Sequence, residues 1–319
     1  MQPPAPGAIH VRVRAALTDG TDLKAYRRGH PQMPMPTRFG HEFSGDVVAV
    51  GEGVTAFAPG NAVMCVHTAP CGACFWCTNG QEELCERVMP AMVLGAYAQY
   101  IEVPRAVVER NCFLKPQHLS YREAAFLEPL SCVMHSLAVL LPRGTVAIVG
   151  DGAFGLLHAL VLRERGLDPI LIGRRSERLA IARAYGFEPV DARAGDPRDG
   201  VRARTGGRGA DAAIECTGTK SAWEEAPELV RRGGTISLFG GLPSGTRVTF
   251  PAERLHYDGI RVVSPFHFTP HAVREAYEML CTRRFDVLPL VTHTYPLDSI
   301  VEAFGRLDAG VGMKACIEP

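Results

Sequence analysis

The spacing of apolar residues changes along the chain and divides it into three parts. The first part, residues 10–115, contains short segments of period two separated by Gly and Pro, as half-buried strands are. Residues 10–15 alternate in this way, and residues 46–50 form a second strand that ends in the turn sequence Gly-Glu-Gly. The first part is therefore predicted to be β-rich.

The middle part alternates between β-branched runs and helical segments. Residues 145–149, Thr-Val-Ala-Ile-Val, have the continuous apolar character of a parallel strand buried on both faces. Further strands are predicted at 169–172, 210–215 and 234–239, and helices at 154–165, 176–185 and 222–232. Strands separated by helices of this length indicate βαβ units around a parallel sheet.

The last part, from residue 266 onward, is a short return segment of mixed character. The pattern predicts helices at 270–282 and 297–307, and strands at 293–295 and 313–317. The whole layout is a β-rich region, a doubly wound α/β domain and this return segment.

Composition and charge exclude several classes of protein. The 319 residues suffice for about two domains at roughly 150 residues each, and 46% apolar with 21% charged residues excludes disordered and fibrous chains. No apolar run approaches the ~18 residues of a membrane span, and no secretory signal begins the chain. Because 34 basic residues balance 34 acidic ones, no basic field exists to gather nucleic acid. A cytoplasmic protein without membrane or nucleic-acid partners is expected.

Four of the ten cysteines fall within fifteen residues and form the pattern C-x2-C-x2-C-x7-C. These are Cys71, Cys74, Cys77 and Cys85. Four thiolates from one loop suit a tetrahedral, structural Zn²⁺ site. Two alternatives remain: four unrelated buried cysteines, or an iron–sulfur cluster, although the fourth cysteine of ferredoxin motifs follows at a different spacing. The other six cysteines are interpreted as small buried side chains.

A glycine fingerprint follows the buried strand at 145–149 and opens the next predicted helix. It reads Gly150, Asp151, Gly152, Ala153, Phe154, Gly155. In this context, G-x-G-x-x-G lets the backbone approach a pyrophosphate that rests on the helix N-terminus. A dinucleotide site is predicted, the alternative being a glycine-rich turn without a ligand.

The end of the strand at 169–172 determines the choice of cofactor. NAD sites place an acidic residue there for the ribose 2′-hydroxyl, whereas arginine accommodates the 2′-phosphate of NADP. This strand runs into Gly173, Arg174 and Arg175, and two guanidinium groups could clamp a phosphate. NADP(H) is therefore predicted over NAD(H), the alternative being two solvated surface arginines.

Together these residues resemble the zinc-containing medium-chain dehydrogenase/reductase family, and most closely its polyol (sorbitol-type) dehydrogenase branch. The resemblance covers nearly the whole chain. Besides the four-cysteine lobe and the glycine fingerprint, it rests on the Gly-His-Glu sequence at 40–42, GAYAQY at 95–100, Glu-Pro-Leu at 128–130, ECTG at 215–218 and GGTISLFG at 233–240.

The resemblance implies a two-domain α/β fold in which one domain is inserted into the other. A β-rich, GroES-like catalytic domain would comprise residues 1–130, with the structural-zinc lobe at 65–90, and the return segment 266–319. Residues 131–265 would form the Rossmann domain. The fingerprint residues other than Asp151 would contact the cofactor, together with Gly173, Arg174, Arg175, Thr217, Phe239 and Gly240. A homodimer or homotetramer is expected.

The resemblance also implies a catalytic zinc that polarises the oxygen of a substrate alcohol. Carried over by position, His41 is a zinc ligand, Glu42 is a direct or alternative ligand, and Glu128 is a ligand or holds the zinc-bound water. Asp19 would complete the set, and Thr21 would relay the alcohol proton to solvent. The expected activity is hydride transfer between a secondary alcohol of a polyol, sugar or small alcohol and NADP.

Two positions depart from the family pattern. Asp19 stands where the family usually has cysteine, and a carboxylate binds zinc more weakly than a thiolate, so a weak, empty or altered metal site is the alternative. Family members usually carry an opening strand or hairpin before the equivalent of residues 6–10, so the catalytic domain of this chain is expected to be shorter at its start.

Two other functions are compatible with parts of this pattern. One is a zinc-independent NADPH reductase of activated double bonds or quinones, although such relatives generally lack both the cysteine lobe and the Gly-His-Glu sequence. The other is a non-catalytic NADPH-binding protein with a degraded metal site, which the departure at Asp19 and the short start would explain.

Overall fold

The computed structural model describes residues 2–29 and 35–319, except for the side chain of Arg28. The chain divides into two compact units. The first combines Met1–Met134 with His267–Pro319, and the second is His135–Phe266. The division after Met134 lies inside a helix, four residues beyond the boundary that the sequence suggested.

In the described part of the chain, thirteen strands form two sheets. In chain order they are β1 Ile9–Leu17, β2 Glu42–Val50, β3 Ala62–Cys65, β4 Tyr100–Val103, β5 Cys112–Leu114, β6 Thr145–Val149, β7 Asp168–Gly173, β8 Val190–Asp191, β9 Ala210–Glu215, β10 Val230–Leu238, β11 Arg261–Val263, β12 Val291–Pro296 and β13 Lys314–Glu318. The first five and the last two lie in the first unit, and the other six in the second.

The described residues also form twelve α-helices and four short 3₁₀ helices. The α-helices are α1 Gly20–Arg28, α2 Phe75–Thr78, α3 Arg105–Arg110, α4 Tyr121–Ala124, α5 Leu127–Leu140, α6 Ala153–Glu164, α7 Ser176–Ala184, α8 Pro197–Arg204, α9 Lys220–Glu225, α10 Ala252–His256, α11 Pro270–Cys281 and α12 Ile300–Asp308. The 3₁₀ helices are Glu82–Leu84, Ala226–Leu229, Leu288–Leu290 and Leu297–Ser299.

The sheet of the first unit has the strand order β12-β13-β1-β2-β3-β5, with β4 also paired to β1. Every pair is antiparallel except β12 with β13. The alternation in β1 buries Ile9, Val11 and Val13 against Phe43 and Val63, forming the core of this unit. Because β13 returns beside β1, the C-terminal segment completes the domain that the N-terminal segment begins.

The sheet of the second unit is entirely parallel, in the order β11-β10-β9-β6-β7-β8. This is the doubly wound order of a dinucleotide-binding domain. Its strands are continuous apolar runs because helices cover both faces, as Ala147, Ile170, Ala213 and Ile236 in the core illustrate. The predicted fold class, a β-rich domain with an inserted Rossmann domain, is confirmed.

The predicted helix at 222–232 is wrong in its second half. Helix α9 ends at Glu225, a 3₁₀ turn follows, and β10 has begun by Val230. Pro227 explains the difference, because proline supplies no N–H for the hydrogen bond that a continuing α-helix would need there. The predicted helix at 297–307 likewise opens as a 3₁₀ turn before α12.

One helical stretch, Tyr121–Leu140, is long and apolar enough by length and composition to cross a membrane. It spans α4 and α5, and 83% of its apolar window is buried within the protein. Core helices of globular domains pass the same test, and this stretch has the burial of a core helix.

Candidate functional site

The four motif cysteines lie together on one loop of the first unit. The sulfur atoms all lie within 4.8 Å of one another in the set Cys71, Cys74, Cys77 and Cys85. Cys77 Sγ lies 3.6 Å from Cys74 Sγ and 3.9 Å from Cys71 Sγ. Four sulfurs at about 2.3 Å from a tetrahedral ion lie about 3.8 Å apart. The set therefore fits Zn²⁺ with no open coordination position.

Backbone N–H groups of the same loop point at these sulfurs. Ala73 N and Cys74 N donate to Cys71 Sγ at 3.5 Å and 3.3 Å, and Arg87 N donates to Cys85 Sγ at 3.4 Å. The bonds from Ala73 and Cys74 lower the pKa of Cys71 to about 6. Because metals bind thiolates, this backbone arrangement favours the metal-binding form of the side chain.

The predicted catalytic residues converge where β1 ends and β2 begins. Leu17 pairs with Glu42 across the two strands, so Asp19 and His41 flank the paired ends. Asp19 is the N-cap of α1, and its Oδ1 accepts hydrogen bonds from Thr21 N at 2.7 Å and from the next N–H at 2.8 Å. Its other oxygen, Oδ2, lies 3.8 Å from His41 Nε2. One carboxylate oxygen thus builds the helix while the other faces the imidazole.

The second ring nitrogen of His41 faces a residue that the sequence reasoning missed. His41 Nδ1 lies 3.3 Å from Asp22 Oδ1, which also accepts from Gly40 N at 3.3 Å. Asp22 Oδ2 accepts from Tyr97 Oη at 2.7 Å. Although burial lowers the pKa of His41, Asp22 and then Asp19 raise it well above its usual value. A carboxylate in this position orients a metal-binding imidazole and leaves Nε2 for the ion.

Glu42, buried in β2, forms an ion pair with a lysine that the sequence reasoning also missed. Both of its carboxylate oxygens lie 2.6 Å from Lys314 Nζ, which also donates to the Thr18 carbonyl at 3.1 Å. Burial alone would lower the pKa of Lys314, but the Glu42 carboxylate holds it above its usual value. Lys314 therefore compensates the charge of Glu42 at the edge of the predicted metal site.

The charge of the cluster calls for a cation. Among the described residues, the cluster has more buried acidic groups than basic ones. The acidic groups are Asp19, Asp22, Glu42 and Glu128, and the basic groups are His41 and Lys314. Ligand atoms of His41, Glu42 and Glu128 lie within 4.8 Å of one another. Burial and the Asp19 carboxylate raise the pKa of Glu128 to about 7, although His41 and Lys314 lower it. Oxygen and nitrogen donors in this arrangement fit Zn²⁺.

His67 lies beside this cluster, although nothing in the sequence pattern indicated it. Its Nδ1 lies 3.4 Å from Glu128 Oε1, and its ring centroid lies 4.9 Å from that of His41 and 5.2 Å from that of His267. Burial, with smaller contributions from His41 and His267, lowers the pKa of His67 well below its usual value. The neutral imidazole of His67 thus lines one side of the cluster. A single histidine in an apolar segment gives no sign of this position in the sequence.

The second unit contains a cavity of about 680 Å³ at the carboxyl ends of its parallel strands. Six of the predicted cofactor residues line it: Gly150, Gly152, Gly173, Arg174, Arg175 and Thr217. Arg178, which the sequence reasoning missed, lines it as well. This is where doubly wound sheets bind nucleotides, and the volume is typical of a ligand site.

The other predicted cofactor residues are not among those that line this cavity. A Cβ on Gly155 would lie 1.9 Å from the Gly150 carbonyl oxygen, so glycine lets α6 pack against the turn before it. Phe154 packs on Phe239, with ring centroids 5.0 Å apart. A Cβ on Gly240 would lie 2.3 Å from the backbone nitrogen of Gly218, so glycine is needed there as well. Ala153 is buried at the start of α6. Their contact with a cofactor stays a prediction.

Asp151 of the glycine fingerprint packs against the end of β7. A Cβ on Gly173 would lie 2.5 Å from Asp151 Cβ, so only glycine fits there. Asp151 Oδ2 accepts from Arg174 N and Arg175 N, each at 2.7 Å, and Oδ1 lies 3.8 Å from Arg178. The fingerprint carboxylate therefore fixes the backbone turn that carries the two arginines.

Comparisons with known proteins agree with this geometry. The alcohol dehydrogenase GroES-like domain matches residues 5–113, and the zinc-binding dehydrogenase family matches residues 153–282. A sorbitol dehydrogenase of Halalkalibacterium halodurans is 30% identical over 326 residues, covering 99% of this chain and 93% of the relative. The chain belongs to the zinc-containing alcohol dehydrogenase family. The expected family and the expectation of a dehydrogenase are thereby confirmed.

Solved structures of dehydrogenases are similar to this chain over its whole length. A structure from Sinorhizobium meliloti 1021, described as a zinc-binding dehydrogenase bound to NADP, has a TM-score of 0.90 and 29% identity, and the match covers 100% of this chain and 94% of that one. An alcohol dehydrogenase from Thermus sp. ATN1 has the same TM-score and identity, with 100% and 96% covered. Both similarities support a zinc-containing oxidoreductase that uses a nicotinamide nucleotide and an alcohol substrate.

Chelation should remove metal from this dehydrogenase in two separate steps. The site at His41 has oxygen and nitrogen donors, whereas the lobe at Cys71 offers four thiolates, which hold zinc more tightly. During incubation with EDTA, zinc per chain is expected to fall first by one equivalent, together with activity, and later by the second. Release of both equivalents in one phase in wild type would contradict these assignments. So would a Cys71→Ser variant, which lacks the lobe site, that loses its remaining zinc only in the later phase.

Proposed function

We propose that this dehydrogenase transfers hydride between NADP and a secondary alcohol group of a polyol, sugar or small alcohol, with a catalytic zinc. The observation that carries the proposal is the buried cluster in which Asp19 Oδ2 faces His41 Nε2 beside Glu128. The similarity to a sorbitol dehydrogenase over nearly the whole chain favours a polyol as substrate.

In this proposal Asp19, His41 and Glu128 would hold the zinc, which would polarise the substrate oxygen and lower the pKa of the alcohol. Asp22 keeps the imidazole of His41 in position. Thr21, in the first turn of α1 two residues after Asp19, receives the alcohol proton through its hydroxyl and passes it to solvent.

Glu42 acts as an alternative zinc ligand, and its ion pair with Lys314 competes with its binding to the metal. The two contacts at 2.6 Å compensate the charge of Glu42, one of whose oxygens lies within 4.8 Å of ligand atoms of His41 and Glu128. Moving toward the metal would exchange part of this ion pair for a metal bond, so the two arrangements are linked.

The preference for NADP rests on the arginines at the end of β7. An acidic residue in that position would repel a 2′-phosphate, but here the position is Gly173 and the nearby Asp151 is bonded to backbone N–H groups. Arg174 and Arg175 line the cavity and supply positive charge with the planar geometry that phosphate recognition uses. The NADP bound in the Sinorhizobium meliloti structure supports the same preference.

Replacing both Arg174 and Arg175 by alanine should lower kcat/KM for NADP roughly 100-fold and leave NAD nearly unaffected. The reason is that hydrogen bonds between charged groups are worth about 1.5–3 kcal/mol each, and only NADP carries the phosphate. Steady-state kinetics with both cofactors measures the ratio. Arg208→Ala, exposed in the same unit and outside the cavity, is the control. Equal losses for the two cofactors, or a wild type that prefers NAD, would refute the assignment.

A substrate panel with and without added Zn²⁺ tests the proposed reaction. NADP-linked oxidation of polyols and secondary alcohols that rises with zinc is expected. Zinc-indifferent reduction of enones or quinones by NADPH would instead identify a zinc-independent reductase. Binding of NADPH, measured by fluorescence, without turnover of any compound would identify a non-catalytic protein.

Two further expectations stay proposals about the working protein. We propose a homodimer or homotetramer, which sedimentation velocity of the purified protein would test. We also propose that it works in the cytoplasm, where NADP-linked alcohol metabolism takes place; fractionation of cells that produce it would test this.

A further inference from the structure

Two of the six cysteines outside the lobe face each other across neighbouring strands. Cys65 is the last residue of β3 and Cys112 the first of β5, and they are direct partners in the antiparallel ladder. Their sulfur atoms lie 2.9 Å apart. A disulfide needs about 2.05 Å, so a movement of about 0.9 Å would bring the two sulfurs to bonding distance.

The register of the two strands suits a disulfide. Val66 N donates to the Asn111 carbonyl, and Lys115 N donates to the Ala62 carbonyl. These bonds flank Cys65 and Cys112 as a non-hydrogen-bonded pair, in which the Cα atoms lie about 4.5 Å apart and the side chains approach most closely. That separation falls within the range of 4.4–6.8 Å that disulfides adopt.

We propose that Cys65 and Cys112 form a reversible disulfide when the protein meets a hydroperoxide. Both side chains are buried, with Cys65 1% and Cys112 8% exposed, and burial raises the pKa of Cys112, so the reaction is expected to be slow and to start at the less buried Cys112. With hydrogen peroxide, the thiol of Cys112 becomes a sulfenic acid and releases one water. The second sulfur then attacks the first, the S–S bond forms, and a second water leaves. Two thiols are oxidised and one peroxide is reduced, and a dithiol reductant restores the thiols by returning two electrons and two protons.

The disulfide would close a loop that contains the whole four-cysteine lobe. The stems of this loop are already joined by the bond from Val66 N to the Asn111 carbonyl and by Asn111 Nδ2, which donates to the Thr68 carbonyl at 2.8 Å. A covalent link at the same point restricts the unfolded states of the lobe, most of all when zinc no longer holds it. The oxidised protein should therefore keep the lobe ordered after loss of its metal.

Peptide mapping of the full-length, zinc-loaded protein tests the pairing without relying on a variant. After hydrogen peroxide, acid quenching and alkylation in denaturant, a peptide linking Cys65 to Cys112 is expected, and dithiothreitol should remove it. Cys65→Ala should lose this linked peptide, whereas the control Cys281→Ala should keep it. Recovery of both residues as alkylated thiols after the lobe cysteines have oxidised, or linkage of Cys65 to a lobe cysteine, would overturn the proposal.

Limited proteolysis after chelation tests the consequence. Without reductant, cleavage within residues 66–111 should be several-fold slower in oxidised wild type than in reduced wild type. In Cys65→Ala, peroxide should make no such difference. A linked peptide that forms without slowing this cleavage would overturn the stabilising role of the disulfide.

Discussion

Replacing His41 by alanine should remove the catalytic metal and lower kcat/KM for alcohol oxidation by roughly 10³-fold. Lewis-acid polarisation of the substrate oxygen contributes several kcal/mol, and each 1.36 kcal/mol changes the rate tenfold. His41 is the nitrogen donor of the cluster, with Nε2 facing Asp19 Oδ2 and Nδ1 facing Asp22 Oδ1. Initial rates with saturating NADP, together with zinc per chain, measure both effects.

His271→Ala is the matched control for this prediction. The side chain of His271 is 79% exposed on α11 in the same unit, so its loss should change neither zinc content nor activity. If His41→Ala stays within tenfold of wild type while zinc per chain is unchanged, His41 is not a ligand and the site has been misassigned.

Replacing Lys314 by methionine should destabilise the first unit by about 3–5 kcal/mol. The substitution leaves the buried Glu42 carboxylate without its partner, and breaking a buried ion pair has a cost of this size. Urea unfolding followed by tryptophan fluorescence measures the loss. A Trp223→Phe background leaves Trp76, in the first unit, as the reporter.

The double variant Glu42→Gln/Lys314→Met separates the charge from the packing. Because it removes both charges, it should recover much of the stability that Lys314→Met loses. Arg105→Met, which breaks the exposed pair with Glu109, should change stability little. Equal destabilisation by the single and double variants would show that the ion pair is not the cause.

The sequence predicted those parts of the molecule whose signals are local. Residues 145–149 form β6, as predicted, because a run of β-branched residues before a glycine turn is typical of a buried strand in a parallel sheet. The four lobe cysteines could be assigned together because their spacing along one loop already defines the ligand geometry. His41 and Glu128 were reached only through the family resemblance, since one histidine beside an acid carries little signal.

What the sequence could not predict depends on contacts between distant segments. Lys314 meets Glu42 because β13 returns beside β1, a pairing that neither residue indicates. Asp151 reaches the end of β7 only because Gly173 leaves the space for it. His67 joins the cluster through the packing of β3, and the helix predicted through Pro227 gave way to an early strand. The local spacing of apolar and polar residues carries no information about these contacts between distant segments.

The number of zinc ions in the active enzyme tests the central claim most directly. Elemental analysis of purified, active protein should find two zinc ions per chain, one lost in Cys71→Ser and the other in Asp19→Ala. The same count should fall to one in His41→Ala. A single tightly bound zinc per chain in fully active enzyme, unchanged by Asp19→Ala, would contradict the catalytic metal site.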